Sequence, residues 1–269
     1  MSQADFEAAL SANRPYFGPH LGCRRSWPHI YWLQQKLLKK LAGMRGSVQA
    51  PLSILEIGAW AGASTVSWGE GLRRYFSGVG HIVSVDTWAA HAEPVAELAP
   101  AASAIRHVFL HNVRASGIAE LVEPLQADSD AAFDQLAGRR FDVIYIDGDH
   151  RYEQVRRDLT HAQSCLAPGG VICGDDLEVQ MGEGADGVAA AAVTRREAWA
   201  AHPESGLGFH PGVTRAVFES FGRVSAWGGF WAMAEKDGGW ISVSLEGIEA
   251  DAPRALVQYD ENGKRLFEL

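Results

Sequence analysis

Short apolar runs alternate with longer stretches in which apolar residues recur every three or four positions. Residues 52–56, 81–86, 143–146 and 171–173 are rich in branched apolar side chains and predict buried strands. Each run ends at or just before an acid: Glu56, Asp86, Asp147 and the pair Asp175 and Asp176. Between them, Ile30, Leu33, Leu37 and Leu41 predict an amphipathic helix over 28–44. Tyr152, Val155, Leu159, Ala162 and Leu166 predict another, stopped by Pro168, Gly169 and Gly170. Further helices are expected near 5–12, 93–98, 101–116, 131–136, 188–201 and 213–221. Pro124 marks the run 121–127 as a strand nearer the sheet edge. Residues 223–227 and 230–234, joined by Gly228 and Gly229, predict a hairpin. Residues 240–245 and a turn at Asn262 and Gly263 suggest a further β element.

This order predicts an α/β fold: a doubly wound, mostly parallel, seven-stranded Rossmann-like sheet with a terminal antiparallel hairpin. Its expected divisions are an N-terminal helical arm or lid over 1–49, the main domain over 50–236 and an appended β element over 237–269. The strand–helix–strand unit spanning 141–176 sets up the chemistry, because such crossovers make the two strands parallel. Asp147 and the pair Asp175 and Asp176 then share the carboxyl edge, where open α/β sheets bind ligands. Neighbouring strands lie about 4.8 Å apart, so these carboxylates can reach one ion.

The first strand leads into Gly58, Trp60, Gly62, Ala63 and Ser64, a small-residue turn before a helix. Glycine permits a tight turn and close approach of a ligand, and a helix start presents free N–H groups. The spacing is not that of the dinucleotide fingerprint, because Trp60 and Ala63 stand where two glycines would. Glu56 suits a cationic amino group better than a pyrophosphate. Asp86 lies at the second strand end, where a carboxylate accepts from ribose hydroxyls. Together these two acids favour a nucleoside ligand. Asp128 and Ser129 either cap the following helix or meet a nucleobase.

A net charge of -9 argues against a general nucleic-acid or anionic-membrane partner, since either needs a basic face. The three cysteines, Cys23, Cys165 and Cys173, are spaced as reduced core residues, and no secretory or membrane-spanning pattern is present, so a cytoplasmic location is expected. The loops 178–187, 206–212 and 20–27 carry no decisive substrate signature, and the first reads as mobile.

Leu55-Glu56-Ile57-Gly58, Val85-Asp86, residues 141–150 and residues 169–176 together resemble class I S-adenosylmethionine-dependent methyltransferases. The resemblance is strongest to metal-dependent O-methyltransferases such as catechol and macrolide-sugar O-methyltransferases and cephalosporin-hydroxylase-like proteins. It covers roughly residues 50–235 and extends to the segment 211–217. It implies that Glu56, Gly58, Trp60, Gly62 and Ser64 hold the methionine part of S-adenosylmethionine, Asp86 the ribose, and Asp128 with Ser129 the adenine. It implies Asp147, Asp175 and Asp176 as ligands of Mg2+, with Mn2+ or Ca2+ as alternatives, and His150 as general base. The expected partner is a hydroxylated small molecule, such as a sugar, natural product or polyphenol, and a homodimer is compatible with the arm and hairpin. Two other readings stand beside it: a metal-independent methyltransferase whose acids are structural, and a non-catalytic cofactor-binding assembly protein.

Overall fold

A computed structural model describes residues 3–17, 28–45, 51–89 and 105–256. They fall into two compact units, one within residues 1–52, 59–126 and 245–269, the other within 53–58 and 127–244.

The first unit contains α1 (Gln3–Ser11), α2 (Pro28–Arg45), the first residue of β1 (Leu52–Ile57), α3 (Ala63–Tyr75), β2 (Gly80–Asp86), α4 (Ile105–Ala115) and β3 (Val122–Gln126). β2 and β3 are parallel, with Ser84 opposite Pro124. α2 buries Leu33, Leu37, Leu38 and Leu41, as its spacing predicts. Fully burying such a side chain contributes about 1.5–3 kcal/mol. Gln35 Nε2 of α2 donates to Ser67 O of α3 at 2.6 Å. Buried Asn112 accepts from Tyr16 N–H at 2.7 Å and donates to Ala61 O at 2.9 Å, fastening the N-terminal segment and the turn after β1 to α4.

The described C-terminal tail also belongs to this unit. It was expected as β structure, yet residues 246–256 contain no strand. The reason lies in its backbone, whose polar groups pair with helix side chains. Trp32 Nε1 donates to Ala250 O, Lys39 Nζ to Glu249 O, and Glu70 accepts the N–H groups of Arg254 and Ala255. The expected turn at 262–263 and helix at 93–98 lie outside the described residues, as do Cys23 and the loop 20–27.

The second unit holds the rest of β1, then α5 (Ser129–Gln135), β4 (Phe141–Ile146), α6 (Tyr152–Cys165), β5 (Leu166–Leu177), α7 (Asp186–Thr194), β6 (Ala200–Ala201), β7 (Gly208–Phe209), α8 (Pro211–Phe221), β8 (Ser225–Trp227), β9 (Gly229–Lys236) and β10 (Gly239–Ser242). Its sheet order is β10-β9-β5-β4-β1, with β8 also on β9. β1, β4 and β5 are parallel, and β9 is antiparallel to β5, β8 and β10. The class is thus α/β, Rossmann-like and mostly parallel. β10 is a sheet strand rather than part of a separate element, because Asp237 and Gly238 turn the chain directly back along β9.

Two local expectations differ. The helix expected to reach residue 201 ends at Thr194, because Arg196 takes a positive φ of 59° and Ala200 and Ala201 pair with β7. The loop 178–187, expected to be mobile, packs Val179 and Ala185 with Ala189 and Phe209 in a small apolar cluster. Thr214 Oγ1 donates to Val179 O at 2.7 Å and Arg223 donates to Met181 O at 3.0 Å, which anchors it further.

Candidate functional site

Two left-handed turns follow the first two strands. After β1, Gly58 has φ +90°, Trp60 +42° and Gly62 +87°. In the first unit Asp86, the last residue of β2, accepts Trp60 N–H through Oδ2 at 2.8 Å and Trp88 N–H through Oδ1 at 2.7 Å. Trp88 Nε1 returns a hydrogen bond to Trp60 O at 2.8 Å. Asp86 therefore fixes the turn's backbone, a role the sequence did not suggest, and each carboxylate oxygen retains a second lone pair for another donor. Gly62 caps α3 and Ser64 is buried in its first turn.

In the second unit, Glu56 is fully buried at the end of β1. Gly58 packs against the next strand end: Asp147 N–H donates to Ile57 O at 2.9 Å, and a Cβ on Gly58 would lie 1.9 Å from Asp147 O. Asp128 caps α5, accepting Ala131 N–H at 2.8 Å. Ser129 turns inward and donates to Asp158 Oδ1 at 2.7 Å, while Gln154 donates to Ser129 Oγ at 2.8 Å. Burial pushes the Asp158 carboxyl up to about 6, against the hydrogen bonds from Ser129 and Gln154 that lower it. A folded pKa above the unfolded value of about 3.9 means stability present below that pH is lost as pH rises toward 6. The expected loss is at most about 3 kcal/mol. Urea titrations at several pH values should show it, and Asp158→Asn should flatten it; an unchanged slope would count against this account.

The strand-end acids meet as the crossover geometry requires. Ile146 of β4 stands opposite Gly174 of β5, so Asp147, just past β4, and Asp175, within β5, lie at the same level of adjacent parallel strands. Asp176 takes a left-handed φ of 62° where the register between β5 and β9 shifts. Asp175 is buried against β9 at Gly229, where any Cβ would come within 2.7 Å of Oδ1. His150 Nε2 lies 2.8 Å from Asp176 Oδ2 and 3.8 Å from Asp147 Oδ1. Tyr145 Oη donates to Asp147 Oδ2 at 3.1 Å.

Electrostatics follow from this crowding. Burial, then the charges of Asp176 and Asp147, push the Asp175 carboxyl well above the usual carboxylate range. Burial raises Asp147 as well. Asp176 is lowered, because contact with His150 outweighs its burial. Burial disfavours a charged His150, yet Asp147 and Asp176 hold its pKa well above the ordinary value.

The structure adds two residues that the sequence left inside unassigned loops. Glu178 holds His210 at two points, with Oε1 at 3.0 Å from Nδ1 and Oε2 accepting the backbone N–H at 3.2 Å. His210 Nδ1 is also 3.5 Å from Asp176 Oδ1, and its ring meets that of His150 edge-on at 4.5 Å. Gly212 makes this approach feasible, since a Cβ there would lie 2.3 Å from His150 O. One donor atom each from His150, Asp176 and His210 lie within 4.8 Å of one another, a spacing from which the three could share one ion. Asp147 and Asp175 border that trio without completing so tight a set. Gly212, two residues after His210, was the available signal, but a single histidine in a loop has no spacing that marks it.

Residues 55–177 match the family described as "Methyltransferase domain". A catechol O-methyltransferase from Mycobacterium tuberculosis is 28% identical over 196 residues, 71% of this chain and 75% of the relative. Among solved structures, an O-methyltransferase from Bacillus cereus in complex with SAH has 18% identity and a TM-score of 0.43, covering 82% of this chain and 78% of that one. One from Klebsiella pneumoniae, described as a putative O-methyltransferase, has 19% identity and a TM-score of 0.47, covering 90% and 97%. The glycine turn after β1 and the acids Glu56, Asp86, Asp147, Asp175 and Asp176 all lie within residues 55–177, the stretch that is similar to the methyltransferase-domain family.

Proposed function

We propose that this protein is an S-adenosylmethionine-dependent O-methyltransferase that uses a divalent cation and acts on a hydroxyl of a small molecule with neighbouring oxygens. The observation that carries the reading is the meeting of Asp147, Asp175, Asp176 and His150 at one strand-end level. The similarity to a catechol O-methyltransferase supports an acceptor of this kind.

The residues fit a cation. His150 Nε2 is buried and has no aligned hydrogen-bond partner among the described residues, although a carboxylate oxygen stands 2.8 Å away. Three acids at one place disfavour each other's ionised forms, a repulsion that positive charge relieves. Asp147, Asp175 and Asp176 would hold the ion. When bound, it would supply Lewis acidity that lowers the acceptor hydroxyl's pKa and fixes its oxygen.

The remaining roles belong to the chain itself. Methyl transfer is an in-line displacement, so the enzyme must align the nucleophile and remove its proton. His150 accepts that proton at Nε2, and Tyr145 steadies Asp147 through its hydroxyl. The turn at Gly58, Trp60, Gly62 and Ser64, with Glu56, receives the methionine portion of the cofactor. Asp86 receives the ribose through its free lone pairs, and Asp128 and Ser129 border the adenine.

Calorimetry tests the cofactor half. S-adenosylhomocysteine should bind with micromolar-range affinity and raise the melting temperature, as a native-state ligand does. Asp86→Ala should weaken that binding at least tenfold, having removed both the ribose acceptor and the brace on Trp60. NADH binding in place of S-adenosylhomocysteine would overturn the class of ligand. Manganese titration tests the other half: wild type should bind one Mn2+, and Asp175→Ala should lose metal-dependent turnover. Anomalous diffraction from manganese-soaked crystals with no peak between the three aspartates would sink the cation.

A further inference from the structure

We infer that His210 is a nitrogen ligand of the same cation, making the site a mixed nitrogen–oxygen one suited to a borderline first-row ion such as Fe2+ or Zn2+. This rests on the proposed metal reading and extends it, since three aspartates alone offer only oxygen donors and suit Mg2+ or Ca2+.

Four features carry the inference. His210 is 9% exposed and stands at the N-terminus of α8, its ring beside the Asp176 carboxylate with Nδ1, the nitrogen that Glu178 holds, 3.5 Å from Oδ1, so Nε2 is the nitrogen left to ligate. One donor atom of His210 lies within 4.8 Å of one from Asp176 and one from His150, so the ring is within reach of an ion held by Asp176. Glu178 grips both the ring and the backbone of His210, at 3.0 and 3.2 Å. A carboxylate that takes one imidazole N–H sets the tautomer, orients the ring and leaves the other nitrogen's lone pair for a metal. Finally, Trp199 packs edge-on against His210 at 4.7 Å and Gly212 lacks the Cβ that would push α8 away from His150. A histidine serving only as a counter-charge to Asp176 needs no such support from three sides.

The assignment divides the two imidazoles. His150 stays a proton acceptor, and His210 becomes the ligand. Nitrogen ligation shifts preference along the first-row series, where imidazole suits iron, nickel, copper and zinc better than magnesium, while Mn2+ keeps the preference for carboxylate oxygen and serves as a paramagnetic probe.

Pulsed electron paramagnetic resonance of the full-length protein loaded with one equivalent of MnCl2 reads ligand nitrogen directly. Wild type should show one imidazole nitrogen coupling, which changes pattern when the protein is labelled with 15N-histidine. The coupling should vanish in His210→Gln and His210→Ala and persist in His150→Ala. The affinity for Mn2+ should fall about tenfold or more in the His210 variants. Circular dichroism checks folding; if the alanine variant unfolds, His210→Gln and the labelled wild type still decide the matter. Bound manganese without nitrogen coupling in wild type would overturn the inference and leave the three-aspartate site standing. Coupling that survives in His210→Gln, or disappears in His150→Ala, would also overturn it. Failure to bind Mn2+ at all would remove both the inference and the metal reading beneath it.

Discussion

His150→Ala is expected to lower turnover by about 10²-fold or more, the usual scale for losing a general base. Affinities for S-adenosylhomocysteine and Mn2+ should stay within a few-fold of wild type, because His150 is assigned to neither ligand set. Its own environment makes the pH dependence specific. His150 is 2.8 Å from Asp176 and its pKa is held well above the ordinary range despite burial. A base must be neutral to accept a proton, so turnover should decline as pH falls through the pKa of His150 in the loaded enzyme, where a cation on Asp147 and Asp176 opposes the pull that raises it in the metal-free protein. The same pair governs the stability of metal-free protein. His150, raised on folding, contributes stability fully present below about 6.5 and lost as pH climbs through its folded pKa. Asp176, lowered on folding, contributes stability present above about 3.9 and lost as pH falls through its folded pKa. The pair should therefore stabilise most between those two limits, a window that His150→Ala abolishes. Steady-state kinetics across pH, with urea titrations of the metal-free variant, check both parts. Near-normal turnover with an unchanged profile would assign the base elsewhere, with Asp147 first to be tested.

Gly58→Ala should be among the most damaging added methyl groups at the described glycines. The added carbon would stand 1.9 Å from Asp147 O and 2.9 Å from Gly148 Cα, both of them backbone atoms that cannot rotate aside. The backbone there also holds φ +90°, a region L side chains rarely adopt. A strained backbone costs about 1–3 kcal/mol and overpacking about the same again. A loss of about 3 kcal/mol or more is expected by urea denaturation. Because the clash falls on the backbone of Asp147, variant protein that does fold should bind Mn2+ more weakly. A variant of wild-type stability would show that the ends of β1 and β4 leave room for a Cβ at residue 58. Gly138→Ala provides the control: it shares a positive φ of 84° but has nothing within 4 Å, so it should cost the backbone term alone.

The sequence by itself determined the strand–helix alternation, the parallel crossover from β4 to β5, and the meeting of Asp147 with Asp175 and Asp176. Those features are local in cause. Strand period, helix rise and the handedness of a crossover convert residue spacing directly into position. The hairpin of β8 and β9 was legible for the same reason, because two glycines state the turn they form.

Other features depend on contacts between residues far apart in the chain. The strand at Ala200 and Ala201 replaced the expected end of a helix because Phe209 and Gly208 are there to pair with it, and propensity yields to such pairing. Residues 246–256 form no strand because carbonyls and amides there are taken by Trp32, Lys39 and Glu70, more than 180 residues away. Asp86 was read for a ligand and is also the brace of the Trp60 turn, a second task visible only once β2 and that turn are placed. His210 and Glu178, separated by 32 residues, meet only because α8 packs its first turn on the His150 backbone. Sequence spacing specifies what one element presents along its own length. Which side chains converge from different elements is decided by packing, and there the second histidine of this site was found.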